Sequence, residues 1–145
     1  MKLTQIISIN AILSVAIGIA FGLYSPLMLT LFEISETPSQ DVVLYWTVAS
    51  FSRMYGITLI GYGILLWSIR KLSGQINGGE IRGITFALII ANVLGLYTAI
   101  TQQVAIWQTL AGWVLSVYYG LFVLIYIYYL IKVHSRYSSK SQANQ

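Results

Sequence analysis

Four long apolar runs, joined by short links, constrain this chain more than any motif in it. They cover about residues 6–24, 42–69, 83–104 and 109–131. Each is close to the roughly 20 residues needed to cross a hydrocarbon core about 30 Å thick. Inside that core every backbone N–H and C=O must be satisfied within the protein, so a spanning run becomes a helix. Of the 145 residues, 57% are hydrophobic and only 8% charged, against about a quarter charged in a water-soluble domain. The expected fold class is therefore all-α. It is a single integral membrane domain over 1–133, an antiparallel four-helix bundle, followed by a disordered cytoplasmic tail over 134–145.

The same composition removes several chemistries. There is no cysteine, so disulfides, thiolate metal sites and iron–sulfur clusters are excluded. The one histidine, His134, follows the last run, and no run contains Asp or Glu. No metal and no cofactor are expected. The basic balance, with a pI near 9.4, does not point to nucleic acid, because the few basic residues are placed by topology.

Lys2 precedes the first run, Arg70, Lys71 and Arg82 bracket the second link, and Lys132, Arg136 and Lys140 follow the last run. The first link carries Glu33, Glu36 and Asp41 without a Lys or Arg, and the third carries no charge. Positive residues mark the cytoplasmic side, so both termini are expected in the cytoplasm and the protein in the cell inner membrane. Lys2 and the small residues Gly18 and Ala20 also imitate a secretory signal cleaved after Ala20. The apolar run continues through Phe21-Gly22-Leu23, and Asn10 interrupts it, which favours an intact first span.

Small residues mark the surfaces on which helices pack in lipid, where their size lets backbones approach. The expected packing positions are Gly18 and Gly22 in the first span, Gly56 and Gly63 in the second, Ala91 and Gly95 in the third, and Gly112 and Gly120 in the fourth. In the third span they belong to the row Gly83, Ala87, Ala91, Gly95 and Ala99. In the first link, Ser25-Pro26 is expected to start a short interfacial helix with Leu27, Met28, Leu31 and Phe32 on its apolar face. Thr37-Pro38 would stop it, and Ser39 and Asp41 would begin the second span. Such a helix would form a lid over the outer end of the bundle.

Arg53 is the one ionisable side chain at membrane depth apart from tyrosines. Trp46 and Trp67 stand about 31 Å apart at 1.5 Å per residue, which puts Arg53 about 10 Å below the outer boundary. A charge there costs roughly 2.5 kcal/mol or more on insertion scales. Ala49, Arg53, Gly56, Ile60, Gly63 and Trp67 trace one face, so Arg53 is expected to point inward; the alternative is that it snorkels to the headgroups. Pointing inward, it would meet Ser50, Tyr97, Thr101, Gln102 and Ser116 in a polar outer pocket, with Glu33 or Glu36 as counter-ion. Such a pocket suits an anionic lipid or small molecule.

The segments Ser52-Arg53-Met54-Tyr55-Gly56, Gly61-x-Gly63 and Leu65-Leu66-Trp67-x-x-Arg70 resemble the second span of small bacterial four-helix membrane proteins, loosely grouped with DoxX-like families. The resemblance implies a compact inner-membrane bundle, with the accessory roles beside redox enzymes often assigned to DoxX-like proteins. Three functions follow. The first is a non-enzymatic accessory or assembly subunit, or a bundle that binds a lipid-like ligand. The second is a small dimeric transporter of an anionic or amphiphilic solute, which lacks the buried carboxylate that proton-coupled exporters need. The third, an intramembrane enzyme, lacks an embedded base, nucleophile or metal ligand. The first is preferred. Expected partners are the lipid bilayer, an anionic lipid or small molecule, and a second copy or a larger membrane protein.

Overall fold

The computed structural model describes residues 3–34, 42–72 and 78–142. The expected roles of Ser35, Glu36, Ser39 and Asp41 fall outside that set. The described chain is all-helical: α1 (Leu3–Leu23), α2 (Ser25–Leu31), α3 (Val42–Leu72), α4 (Gly78–Gln102) and α5 (Leu110–Gln142). A π-helical turn, Gln103–Trp107, continues α4. Helix α5 runs on to Gln142, so the tail expected to be disordered from His134 is helical as far as that residue.

Three helices are long and apolar enough to cross a membrane: Leu3–Leu23, Glu80–Trp107 and Leu110–Lys132. Helix α3, although 31 residues long, is not among them. Arg53 and the hydroxyls of Ser50, Ser52, Thr58 and Ser68 dilute its apolar content. The four runs are thus less alike than their lengths imply.

Helix α1 packs along α3, α4 packs along α5, and α2 lies against α3 and α1. Glycine sets the closeness of the first pair. A methyl group placed on Gly56 would strike the Gly22 nitrogen, and would lie 2.6 Å from the Gly18 carbonyl oxygen. One on Gly18 would lie 2.7 Å from the Gly56 carbonyl oxygen, and one on Gly63 would lie 2.8 Å from that of Ala11. These are backbone atoms, which cannot rotate away. Gly22 and Gly120 are less demanding, because a methyl there makes only ordinary contacts. In the second pair Gly95 receives the ring of Tyr119, and Gly112 receives the side-chain amide of Gln103. Ala91 corrects the expectation: it is exposed, as are Gly83 and Ala87.

Away from α2, all four long helices share one core. Ile6, Ile7 and Ala11 of α1, Leu66 of α3, Leu88 of α4 and Phe122 and Tyr126 of α5 form a single buried cluster. At the other end Leu29 of α2 packs with Tyr45 and Ala49 of α3. The Ser25 hydroxyl donates to the Ala49 carbonyl (2.9 Å) instead of capping its own helix. Ser25 and Leu29 of α2 and Phe32 just after it are buried, whereas Leu27 and Leu31, expected on the apolar face, are exposed.

The end of α2 explains that rotation. Glu33 takes the left-handed conformation (φ 60°), its N–H donates to Thr30 O, and the N–H of Ile34 reaches back to Leu29 O. This is a Schellman closure, in which the residue after the turn folds onto the helix it ends. Ile34 duly packs on the Leu29 cluster. Glu33 stands where glycine is the usual residue, and its side chain is exposed.

The glycine contacts give a direct expectation for unfolding in bilayer mimetics. Gly56→Ala should destabilise the protein by about 1–3 kcal/mol, the usual range for overpacking. Gly61→Ala and Gly83→Ala, where an added methyl meets nothing within 4 Å, should leave the midpoint unchanged or raise it. Thermal or denaturant titration of the three variants checks this.

Candidate functional site

Hydrogen bonds from tyrosine and asparagine side chains tie the two helix pairs together. At the centre, Asn10 of α1 donates through its Nδ2 to the Tyr126 hydroxyl (3.0 Å). Its Oδ1 accepts from Tyr118 (2.9 Å) and from Ser14 (3.3 Å), and the Ser14 and Tyr118 hydroxyls are 2.9 Å apart. Between α3 and α4, Asn92 Nδ2 donates to the Tyr62 hydroxyl (3.4 Å) and to its own helix at Leu88 O (2.7 Å). Between α3 and α5, the Tyr55 and Tyr119 hydroxyls meet at 2.9 Å.

On the α2 side of the Tyr55–Tyr119 bond the helix pairs enclose a cavity of about 510 Å³. That falls within the usual range of small-molecule sites, about 300–1,000 Å³. Tyr55 and Tyr119 close its deep end. Phe32 of α2 and Trp107 of the π-turn cover it, their rings 4.8 Å apart and edge to face. Phe21 of α1 bridges cover and floor, 5.9 Å from Phe32 and 5.4 Å from Tyr55. The α3 and α4 sides contribute Phe51, Leu94 and Thr98, all of which are also exposed. The cavity therefore opens sideways, between α3 and α4. Among the described residues its wall contains no carboxylate, amine, guanidinium, imidazole or thiol.

The π-turn is what brings Trp107 here. Its extra residue per turn ends at Gln108 in the left-handed conformation (φ 49°), whose N–H donates to Gln103 O (3.0 Å). Gln103 is buried and its Nε2 donates to Thr109 O (3.0 Å). The Thr109 hydroxyl in turn accepts from the Gly112 N–H (3.3 Å). These bonds hold the break between α4 and α5 and turn Trp107 under α2, so it is a cavity wall and not the interfacial anchor its position implies.

A cavity thus lies at the expected depth, but its composition differs from the expected pocket. Arg53 is exposed and does not line it. Among the described residues no hydrogen bond or ion pair engages it. Ser50 is exposed and donates to Trp46 O (2.9 Å). Thr101, also exposed, donates to Tyr97 O (2.9 Å), and Tyr97 itself is 69% exposed. Ser116 is buried, its hydroxyl committed to Gly112 O (3.0 Å). Glu33 is exposed beyond α2. Of the seven expected residues only Gln102 lines the cavity. Ser52, Tyr55, Tyr119, Phe21, Phe32 and Trp107, which line it, were not foreseen there.

In comparison with known proteins, no family model matches the chain, and no curated protein or solved structure matches it. The functional reading rests on the cavity and its surroundings.

The two polar environments separate cleanly by mutation. Arg53→Leu should leave stability in nanodiscs within about 0.5 kcal/mol of the parent, as for surface changes that break no contact. Asn10→Leu takes the bond from Tyr126 and leaves Tyr118 and Ser14 only each other, and should cost about 1–3 kcal/mol. Equal losses in the two variants, measured by thermal unfolding, would place Arg53 in an interaction the geometry does not contain.

Proposed function

We propose that this chain is an antiparallel four-helix bundle of the inner membrane, with both termini in the cytoplasm, that binds a lipid-like molecule in its α2-end cavity and performs no chemistry of its own. The observation that carries the proposal is the cavity's lining: aromatic and aliphatic walls, no charged group among the described residues, and a mouth between two helices. A site of that composition gains from burying apolar surface and offers neither base nor nucleophile to an enzyme reaction.

Several features support the bundle. Gly18 and Gly22 meet Gly56, whereas Ala11 and Val15 meet Gly63, the register of two helices running in opposite directions. Helix α3 exposes Phe51, Met54, Ile57, Ile64 and Leu65, an outer surface suited to acyl chains. Arg70 lies 4.4 Å from the Trp67 ring and Lys132 lies 5.8 Å from that of Tyr128. Such cation and aromatic pairs fit a cytoplasmic interface. On this reading Arg53 is a snorkelling residue, and an anionic headgroup meets it from the bilayer side.

A second reading, the small dimeric transporter, is favoured by the exposed row Gly83, Ala87 and Ala91 on α4, which a second copy would cover in lipid.

Native mass spectrometry from nanodiscs decides between these readings. The expected result is a monomer that retains one lipid-like molecule, and Thr98→Trp, which fills the cavity mouth, should release it. A bare monomer, or retention unchanged by Thr98→Trp, would overturn the binding proposal. A stable dimer without ligand would favour the transporter.

A further inference from the structure

The end of the bundle away from α2 carries a second recess, separate from the cavity described above. We propose that it binds one anionic phospholipid of the bilayer, whose phosphate meets Lys132 while an acyl chain lies in the groove between α1 and α5. The proposal does not depend on what fills the cavity.

The groove follows from how the two helix pairs meet. Helices α1 and α5 belong to different pairs and are joined by the bonds of Asn10 and Ser14 to Tyr118 and Tyr126. Tyr126 is fully buried at that junction. On one flank of it lies a recess of about 300 Å³, closed on the far side by Ile6 of α1. Ile125 and Tyr129 line it and are half-buried, whereas Leu124, Tyr128 and Lys132 line it and are exposed. Each set is spaced four residues apart, so the first forms a floor and the second a rim.

The depth of the recess matches a single lipid. The apolar span of α5 ends at Lys132, which puts the ammonium at the membrane boundary. From there the rim runs to Leu124, about 12 Å along a helix axis, less than half of a hydrocarbon core about 30 Å thick. A site that starts at the boundary and stays within one leaflet fits a lipid and not a crossing helix. Its chemistry is graded in the same direction, from aliphatic side chains through tyrosine rings to a cation.

That cation selects the headgroup. Lys132 brings three N–H donors and no acceptor. Among the described residues its contact is the Tyr128 ring, 5.8 Å away, and no carboxylate pairs with it or lines the recess. A phosphate oxygen supplies the charged acceptor, and basic recesses between spanning helices take lipid headgroups in this way. The surrounding charge agrees. Ile69, Ile81 and Tyr129 pack on the cluster that contains Leu3 and Ile6, so this end also carries Arg70 and Arg82, against one described carboxylate, Glu80. A zwitterionic lipid brings an ammonium of its own to this place and loses the advantage.

Tyr128→Trp puts a fluorescent reporter on the rim, read as the difference from the parent protein in vesicles. Brominated phosphatidylglycerol and brominated phosphatidylcholine of equal chain length are compared as quenchers. Phosphatidylglycerol should reach half-quenching at about fivefold lower mole fraction, the scale of one lysine at an anionic surface. Adding Lys132→Gln should bring the two lipids level, with the thermal midpoint unchanged because the exposed side chain breaks no hydrogen bond. Lys132→Arg should keep the preference. Arg82→Gln, which removes a charge from the same end outside the recess, should keep most of it. Equal quenching by the two lipids in the reporter protein, or a preference that survives Lys132→Gln, would overturn the site. An equal fall in Arg82→Gln and Lys132→Gln would also overturn it, reducing the effect to diffuse attraction by the basic end.

Discussion

Two helix pairs in lipid gain nothing from the hydrophobic effect by coming together, because acyl chains are as apolar as the side chains they would replace. The junction between α1–α3 and α4–α5 depends instead on directional bonds. Asn10 is the hub, serving Tyr118, Ser14 and Tyr126 at once, and Tyr62–Asn92 and Tyr55–Tyr119 extend the junction. Each bond is modest, about 0.6 kcal/mol on average in membrane proteins, but the alternative is a bare polar group in hydrocarbon. The requirement for partners is what specifies how the pairs sit together. Within each pair close packing suffices, and glycine supplies it at Gly18, Gly56 and Gly63 for the first and at Gly95 for the second.

The cavity follows from where those cross-links stop. Tyr55–Tyr119 is the last of them toward α2, and beyond it large rings rather than interlocking small residues fill the space between the pairs. Cover is then needed from elsewhere. Two departures from regular helix provide it: the Schellman closure that turns Leu29 and Phe32 inward, and the π-turn that swings Trp107 beneath them. Both contain a non-glycine residue in the left-handed region, Glu33 and Gln108. Such conformations are uncommon and are retained where surrounding structure demands them.

Much of this was legible in the chain, and the misreadings share one geometrical cause. The lengths of the runs, the short helix after Ser25 and the glycine contacts of α1 with α3 follow from apolar pattern and residue size. Which flank of α3 turns inward does not. Ala49, Gly56 and Gly63 recur every seven residues, and such a line is flanked on one side by Ser52, Leu59 and Leu66 and on the other by Arg53, Ile60 and Trp67. Both flanks satisfy three/four spacing. The buried one contains Leu59 and Leu66, which puts Ser52 at the cavity and Arg53 outside. On α4 the row Gly83, Ala87, Ala91, Gly95 and Ala99 advances four residues at a time, or about 40° of rotation per step at 3.6 residues per turn. It therefore winds off the packed face: Gly83, Ala87 and Ala91 are exposed, whereas Gly95 and Ala99 pack against Tyr119 of α5. The π-turn has no pattern of its own in the sequence, so nothing there places Trp107 at the cavity.

Moving one residue along α3 changes the chemistry of the site. With Arg53 inside, the cavity would be a cation-lined cleft that selects anions. With Ser52 inside, it is neutral, and an anion entering it would shed its hydration without gaining a counter-charge. The guanidinium stands instead on the exposed flank of α3, while the described wall of the cavity carries no charge. A lipid headgroup outside and a neutral molecule inside are then not competing interpretations of one site. They would lie on opposite flanks of the same glycine line, with Arg53 on one and Ser52 on the other.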